Sequence, residues 1–401
     1  MRLSFMRLAY LLISAIFLQS VMFILSQPIA AQADQNASGL NDSRIDPILN
    51  SNGSLSSHFW VDEAGALVPM AQGHFILGAD KWQKNKTFKM IVIGDSIAWG
   101  SGLEQKNKYY YRVADWLQKK LKRPVEVTVL AHTGATLAKP KDGENAGNKF
   151  VNPELSSWDP TLLEQVGNIG NPENVDLVLL SGGINDIDVN TILNPLTDPG
   201  EIRTRCMNIE DPLRTVLVRL LENCINSKII VTSYYPMVSN DTTESALDVF
   251  IGELRSLAPN STEGKGLDLI KNLFGGKQIL LMMSRNSNIF DNQSRLILAK
   301  AVEKANQYSI SHFKEKRVVF APIDFPSNRS YGTNESWLWE LTDPRVNDGK
   351  PINDERYNFR VSLCKNVSCD VNDIMNANGH PNVEGADEYN QTVTKCISEI
   401  L

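Results

Sequence analysis

The chain has 401 residues, with 46 acidic against 40 basic side chains, a formal net charge of −6 and 42% hydrophobic residues. That is long and apolar enough for one large core or two small ones. The mild acidity leaves no basic footprint of the kind nucleic acid or an anionic membrane surface requires, so neither is expected as a partner. Of the five cysteines (Cys206, Cys224, Cys364, Cys369 and Cys396), none forms a CxxC pair or stands beside a histidine, which argues against a zinc site. No metal or organic cofactor is expected.

Met1 to Ala33 reads as a secretory signal. Arg2 and Arg7 supply the positive start, Leu8 to Leu25 is apolar apart from Ser14, Gln19 and Ser20, and Ala31-Gln32-Ala33 forms a small-x-small cleavage site. An uncleaved anchor is the competing reading, since the apolar run approaches the roughly 20 residues that span a bilayer; no later segment is long and apolar enough to do so. The expected location is secreted, periplasmic or cell-surface, with no stable membrane span after cleavage. In an exported chain the cysteines suggest disulfides, for which Cys206 with Cys224 and Cys364 with Cys369 are the expected pairs. N-x-S/T sequons recur from Asn36 to Asn390 and are glycan acceptors in a eukaryotic secretory pathway. Residues 34–86, rich in Asn, Ser and Gly, read as a polar linker with a short folded lead-in around Phe59-Trp60 and Phe75-Ile76-Leu77.

From residue 87 to 401 the pattern is one of strands alternating with helices. Ile91-Val92-Ile93 is an apolar, β-branched run suited to a buried central strand, broken by Gly94-Asp95-Ser96. A helix follows over Tyr109–Leu121, then strands at Val125–Ala131 and Val175–Leu180. Asp211–Asn223 is helical, Lys228–Thr232 a strand, Asp291–Lys314 the longest helix, Arg317–Pro322 the fifth strand and Val383–Ile400 the closing helix. Such alternation predicts a parallel sheet covered on both faces, a three-layer αβα sandwich of the flavodoxin type with about five strands. Three stretches near 139–174, 237–288 and 324–374 fall outside the repeat. Loops that long serve as lids or binding loops, or are disordered. Trp337-Leu338-Trp339 and Tyr331 in the third either line an entrance or pin the insertion. Trp99 and Tyr234 either border a pocket or pack beneath it.

Ser96, Gly134, Asn185 and His380 stand at carboxyl ends of strands or just before a helix, where open α/β sheets place their ligands. Serine needs a base to act as a nucleophile. Among five histidines, His380 in Asn378-Gly379-His380-Pro381-Asn382 is preferred, and His132, beside Gly134, is the rival. The backbone N–H groups of Ser96 and Gly134 and the side-chain amide of Asn185 could converge on an oxyanion.

These blocks, IGDSIAWG, HTGAT, SGGIND and NGHPN in that order, resemble the four signature blocks of the SGNH or GDSL-type hydrolases over Ile91 to Leu401. The resemblance implies the flavodoxin-like fold of that family and a serine ester hydrolase, an esterase or lipase. Ser96 would be the nucleophile and an oxyanion donor, Gly134 and Asn185 the remaining oxyanion donors, and His380 the base and then the acid. The family usually has an aspartate three residues before the histidine, and here that position is Ala377. Asp373 and Asn376 are the nearest candidates to orient the imidazole; otherwise a backbone carbonyl holds the ring and the pair works as a dyad. The implied substrate is a small-molecule, lipid or carbohydrate ester. Acyl transfer by the same residues is the first alternative, and a catalytically weakened carbohydrate-binding or cell-surface protein is the second.

Overall fold

The structure is a computed structural model and describes residues 59–61, 67–69, 73–82, 86–140, 152–249, 275–340, 354–365, 369 and 371–401. The expected signal at 1–33, much of the 34–86 segment and parts of all three insertions lie outside the described residues. Strands are β1 (Phe59–Val61), β2 (Leu67–Pro69), β3 (Gly73–Leu77), β4 (Phe88–Gly94), β5 (Val125–Val129), β6 (Leu177–Ser181), β7 (Lys228–Thr232) and β8 (Val318–Ala321). Helices are α1 (Ser96–Trp99), α2 (Tyr109–Leu121), α3 (Leu162–Gly167), α4 (Ile184–Ile187), α5 (Val189–Leu193), α6 (Pro199–Asn208), α7 (Glu210–Asn223), α8 (Gly276–Phe313), α9 (Tyr357–Cys364), α10 (Val371–Met375) and α11 (Val383–Ser398).

β1 and β2 pair only with each other, while six strands form the main sheet in the order β3-β5-β4-β6-β7-β8. The five from β4 to β8 run parallel, and β3 is antiparallel to β5 at the edge. The parallel part follows the 2-1-3-4-5 order of flavodoxin-like sheets, whose direction of winding reverses between the first and third strands, here β4 and β6. Right-handed crossovers that step in opposite directions from that point place their helices on opposite faces. Accordingly α2 packs with α11, and α7 packs with both α3 and α8.

Central β4 buries Met90, Ile91, Val92 and Ile93 at 5% exposure or less, each such side chain stabilising the core by about 1.5–3 kcal/mol. Strands buried on both faces carry continuous apolar runs, and β6 (LVLLS) is buried at every position. Helix α2 presents Tyr109, Tyr110, Val113, Ala114 and Leu117 to the core at helical spacing.

Several expectations are corrected. The lead-in Gly73–Leu77 is the sixth strand of the sheet; its alternating half-buried pattern is that of an edge strand with one face in water. The long helix begins at Gly276, fifteen residues before the expected Asp291, so the end of the second insertion is helical. Polar Ser284, Asn286, Ser287 and Ser294 are buried there, and tertiary partners override the polar break the sequence presents. Cys364 and Cys369 are joined as a disulfide, but Cys206 and Cys224 are free thiols, each 0% exposed. Both lie in the main apolar cluster, where cysteine behaves as a small hydrophobe. Among the described residues no helix is long and apolar enough to cross a membrane, and no group of three or more His, Cys, Asp or Glu side chains could hold a metal ion.

Candidate active site

Ser96 follows β4 at the sheet's switch point and opens α1. Asp95 caps that helix, its Oδ1 accepting the Ile97 N–H at 3.0 Å. The turn requires Gly94: its φ is +139°, and a Cβ there would stand 1.9 Å from the Ser181 carbonyl of β6. The end of β4 is closed by a side chain. Gln165 of α3 accepts from Gly94 N–H at 2.7 Å and donates to Gly94 C=O at 3.0 Å, pairing with the peptide as a neighbouring strand would.

His380 Nε2 lies 2.6 Å from Ser96 Oγ, although 284 residues separate them. The first turn of α11 follows immediately, capped by Asn382. The Trp337–Trp339 strip braces this turn along its backbone. Trp339 N–H donates to His380 C=O, Gly379 N–H to Trp339 C=O, and Asn382 N–H to Trp337 C=O, at 2.8–2.9 Å. Those tryptophans therefore hold the histidine; Tyr331 is the member of the expected entrance group that lines the pocket.

Asn185, in the first turn of α4, donates from Nδ2 to Ala135 C=O at 2.9 Å. Its neighbour Asp186 accepts the Leu137 N–H at 3.0 and 3.2 Å. The loop carrying Gly134 is thus fastened at two points to the turn carrying Asn185. Gly134 has φ +84°, and a Cβ there would come within 2.7 Å of the Ser157 backbone nitrogen, so only glycine fits. Tyr234 ties the Ser96 turn to the Asn185 turn: its hydroxyl donates to Asp95 Oδ2 at 2.7 Å and accepts Ile184 N–H at 3.0 Å. Tyr234 and Trp99 lie beneath the site and do not border the pocket.

The structure brings Ser96, Gly134, Asn185 and His380 to one open pocket. His132, the rival base, is buried with Nδ1 2.8 Å from Thr133 C=O. The proposed orienting groups do not reach the imidazole. Asp373 accepts the Ser156 N–H at 3.3 Å, and Asn376 Nδ2 donates to Glu154 C=O. Among the described residues His380 Nδ1 has no hydrogen-bond partner. Burial pushes His380 down to about 4 from 6.5, against the Ala377 and Asn378 carbonyls, which favour its charged form. Burial raises Asp95 to about 6 and Asp186 to about 7, although the N–H and O–H donors around them pull the other way.

Gln165 and the backbone role of Trp337–Trp339 escaped the sequence reading, which placed Tyr234 at or beneath a pocket without its tie to Asp95 and Ile184. Their function lies in contacts between distant segments, and a lone Gln or Tyr carries no local pattern.

Residues 92–271 match the sequence profile of the GDSL-like Lipase/Acylhydrolase family. No curated protein matches the chain in sequence. Among solved structures, it is similar to an extracellular lipase from Streptomyces rimosus (11% identity, TM-score 0.44, covering 77% of this chain and 99% of that one). It is also similar to phospholipase A1 from Streptomyces albidoflavus NA297 (13%, 0.41, 77% and 99%). A third similar structure is an acetyl xylan esterase from the rumen bacterium Butyrivibrio proteoclasticus (12%, 0.35, 78% and 63%). The matched segment contains Ser96, Gly134 and Asn185, so these three candidate residues fall where the chain matches the GDSL-like lipase/acylhydrolase family.

Proposed function

We propose that the protein is an exported serine esterase working through a Ser96–His380 dyad on carboxylic esters with an apolar acyl chain. The observation that carries this reading is the 2.6 Å approach of His380 Nε2 to Ser96 Oγ at an apolar pocket. The neutral imidazole takes the Ser96 proton as Oγ attacks the ester carbonyl, and returns it to the leaving alcohol. The N–H groups of Ser96 and Gly134 and the Asn185 amide receive the oxyanion. Water, deprotonated by the same imidazole, then releases the acid from the acyl-enzyme. The imidazole keeps its place through the backbone braces of its turn, and among the described residues no carboxylate is hydrogen-bonded to its Nδ1. Export rests on the signal-like start and agrees with the Cys364–Cys369 disulfide.

The acyl preference rests on the pocket wall. Ile184, Val189 and Leu193 come from α4 and α5, Met237, Val238 and Leu247 from the second insertion, and Leu280 and Met283 from the early turns of α8. Each added CH₂ buried there contributes about 0.8 kcal/mol. Lengthening a p-nitrophenyl ester from acetate to butyrate should therefore raise kcat/KM by about tenfold. Leu280→Trp should move the optimum toward shorter chains. A ladder from acetate to palmitate measures both; a maximum at acetate would overturn the apolar-acyl assignment.

The pH profile tests the base. Because burial lowers His380 to about 4, its neutral form prevails above that value, and the acid limb of kcat/KM should fall near pH 4. A limb at the ordinary histidine value of 6.5 would refute the desolvated setting. Between those values the unfolded chain binds a proton that the folded one does not, so this histidine costs stability as pH falls through that window. The profile therefore needs a circular dichroism control at each pH.

A further inference from the structure

Arg360, in the middle of α9, is 0% exposed, and each arm of its guanidinium reaches a different segment. Nε donates to Ile374 C=O at 2.8 Å, Nη1 to Glu154 Oε2 at 3.4 Å and Nη2 to Asp354 Oδ2 at 2.7 Å. Glu154 and Asp354 are buried as well. Losing one member of such a cluster leaves a buried charge without its partner, so the three side chains hold one another in a single arrangement.

Each of the three contacts leads to a part of the candidate active site. Ile374 belongs to α10, which runs directly into the histidine turn. Asn378 N–H donates to Met375 C=O and His380 N–H to Ala377 C=O, both at 2.9 Å, so two successive turns carry the position of α10 to the imidazole. Glu154 belongs to the segment that lies along the Gly134 loop: Thr133 N–H donates to Pro153 C=O at 3.2 Å, and Ser157 N–H to Thr133 C=O at 2.9 Å. Asp354 precedes Glu355, whose N–H donates to Gly102 C=O at 2.9 Å in the loop leaving α1, the helix that Ser96 opens. The Glu355 carboxylate accepts from Glu104 N–H and Asn107 Nδ2 of the same loop at 2.7 and 2.6 Å. Nucleophile, oxyanion loop and base, far apart in sequence, are thus fastened to one guanidinium.

We propose that Arg360 is a positioning residue for ester hydrolysis, fixing the His380 turn against the Gly134 loop and the Ser96 turn. The inference rests on the Ser96–His380 reading above. Arg360 does not line the pocket; it acts through Ile374, Glu154 and Asp354. Asn376 Nδ2, donating to Glu154 C=O, and Ser156 N–H, donating to Asp373 Oδ1, join the same segments beside it. The Cys364–Cys369 disulfide closes the end of α9 onto the chain entering α10. The task is exacting, because the imidazole must meet Oγ and the leaving oxygen while the N–H donors stay aimed at the carbonyl oxygen. A misplacement of about 1 Å costs about 10²-fold in rate.

The test is p-nitrophenyl butyrate kinetics and thermal denaturation of the full chain and its variants. Arg360→Lys keeps a charge beside the two carboxylates but loses the fork that reaches Ile374. It should lower kcat by about 10- to 100-fold and leave KM within about twofold, since the pocket wall is untouched. The burst of p-nitrophenolate from diethyl p-nitrophenyl phosphate, which reads the attack of Ser96 alone, should slow by the same factor. Arg360→Met combined with Asp354→Asn removes one cation and one anion together and leaves Glu154 facing Lys108 and Arg356; it guards against misfolding and should show the same loss. Arg317→Lys is the control. Arg317 is equally buried and donates to the carbonyls of Leu221, Cys224 and Ile225 at the entry to β8, the end of the sheet away from Ser96. It should lower the Tm and keep kcat. Wild-type kcat in either folded Arg360 variant, an equal loss in Arg317→Lys, or a loss confined to KM would overturn the proposal. Failure of the underlying reading looks different. An inactive wild type, or an active Ser96→Ala, removes the dyad and this inference with it, whereas an inactive Ser96→Ala beside a fully active Arg360→Lys overturns this inference alone.

Discussion

Replacing Ser96 with alanine is expected to lower kcat/KM for ester hydrolysis by about 10⁴-fold, to the level that the oxyanion donors alone sustain. The loss follows from the attack step, for which the pocket holds no other nucleophile placed 2.6 Å from an imidazole nitrogen. The substitution removes one oxygen from a side chain that is 5% exposed and leaves the Asp95 cap and the Gly94 turn in place, so the fold should persist. His380→Ala should cost nearly as much, and the double variant little more than either, because the two act as a unit. Measuring p-nitrophenyl butyrate hydrolysis by all three decides the matter. Retention of more than about a tenth of the activity in Ser96→Ala would end the serine mechanism. The remaining candidate would then be the carbohydrate-binding reading, with catalysis belonging to a contaminant.

Asn185→Ala is expected to reduce kcat by about 10²–10³-fold with little change in KM. Asn185 Nδ2 carries two hydrogens. One is engaged with Ala135 C=O at 2.9 Å, which fixes the amide plane and leaves the other directed from a pocket-lining residue. A donor aimed at the oxyanion acts when charge develops and not on the ground-state ester, so the loss falls on kcat. The same substitution deletes a hydrogen bond worth about 1 kcal/mol of stability. A purely structural role would show that stability change with kcat kept within about tenfold. Stopped-flow turnover and thermal denaturation, measured on one preparation, separate the two.

Much of the scaffold was readable in advance because it obeys local rules. Strands β4, β6 and β7 are short apolar runs bounded by Gly, Ser or Asn, and α2 and α11 keep helical spacing. The four blocks were readable because three must sit at strand ends and the fourth just before a helix, each with a glycine or cap residue beside it, and Gly94 and Gly134 occupy backbone positions that admit no side chain. Edge strand β3 was less legible, since an alternating five-residue segment in a polar stretch has no helix to frame it. The early turns of α8 were missed because their buried serines and asparagines look like a loop until their partners are known; Ser287 Oγ, for example, accepts Val238 N–H at 3.1 Å.

The sequence by itself determined the αβα layering, the polar termini of the strands and the identity of the residues that meet at the site. Hydrophobic period and turn chemistry act over a few residues, and both are written in the chain. Only the tertiary structure decided how His380 is held without an acid at Ala377, why Cys206 and Cys224 stay apart, and which residues wall the acyl pocket. These outcomes depend on which distant segments come within hydrogen-bond or van der Waals reach, and that distance is set by the packing of the whole sheet, not by any local pattern.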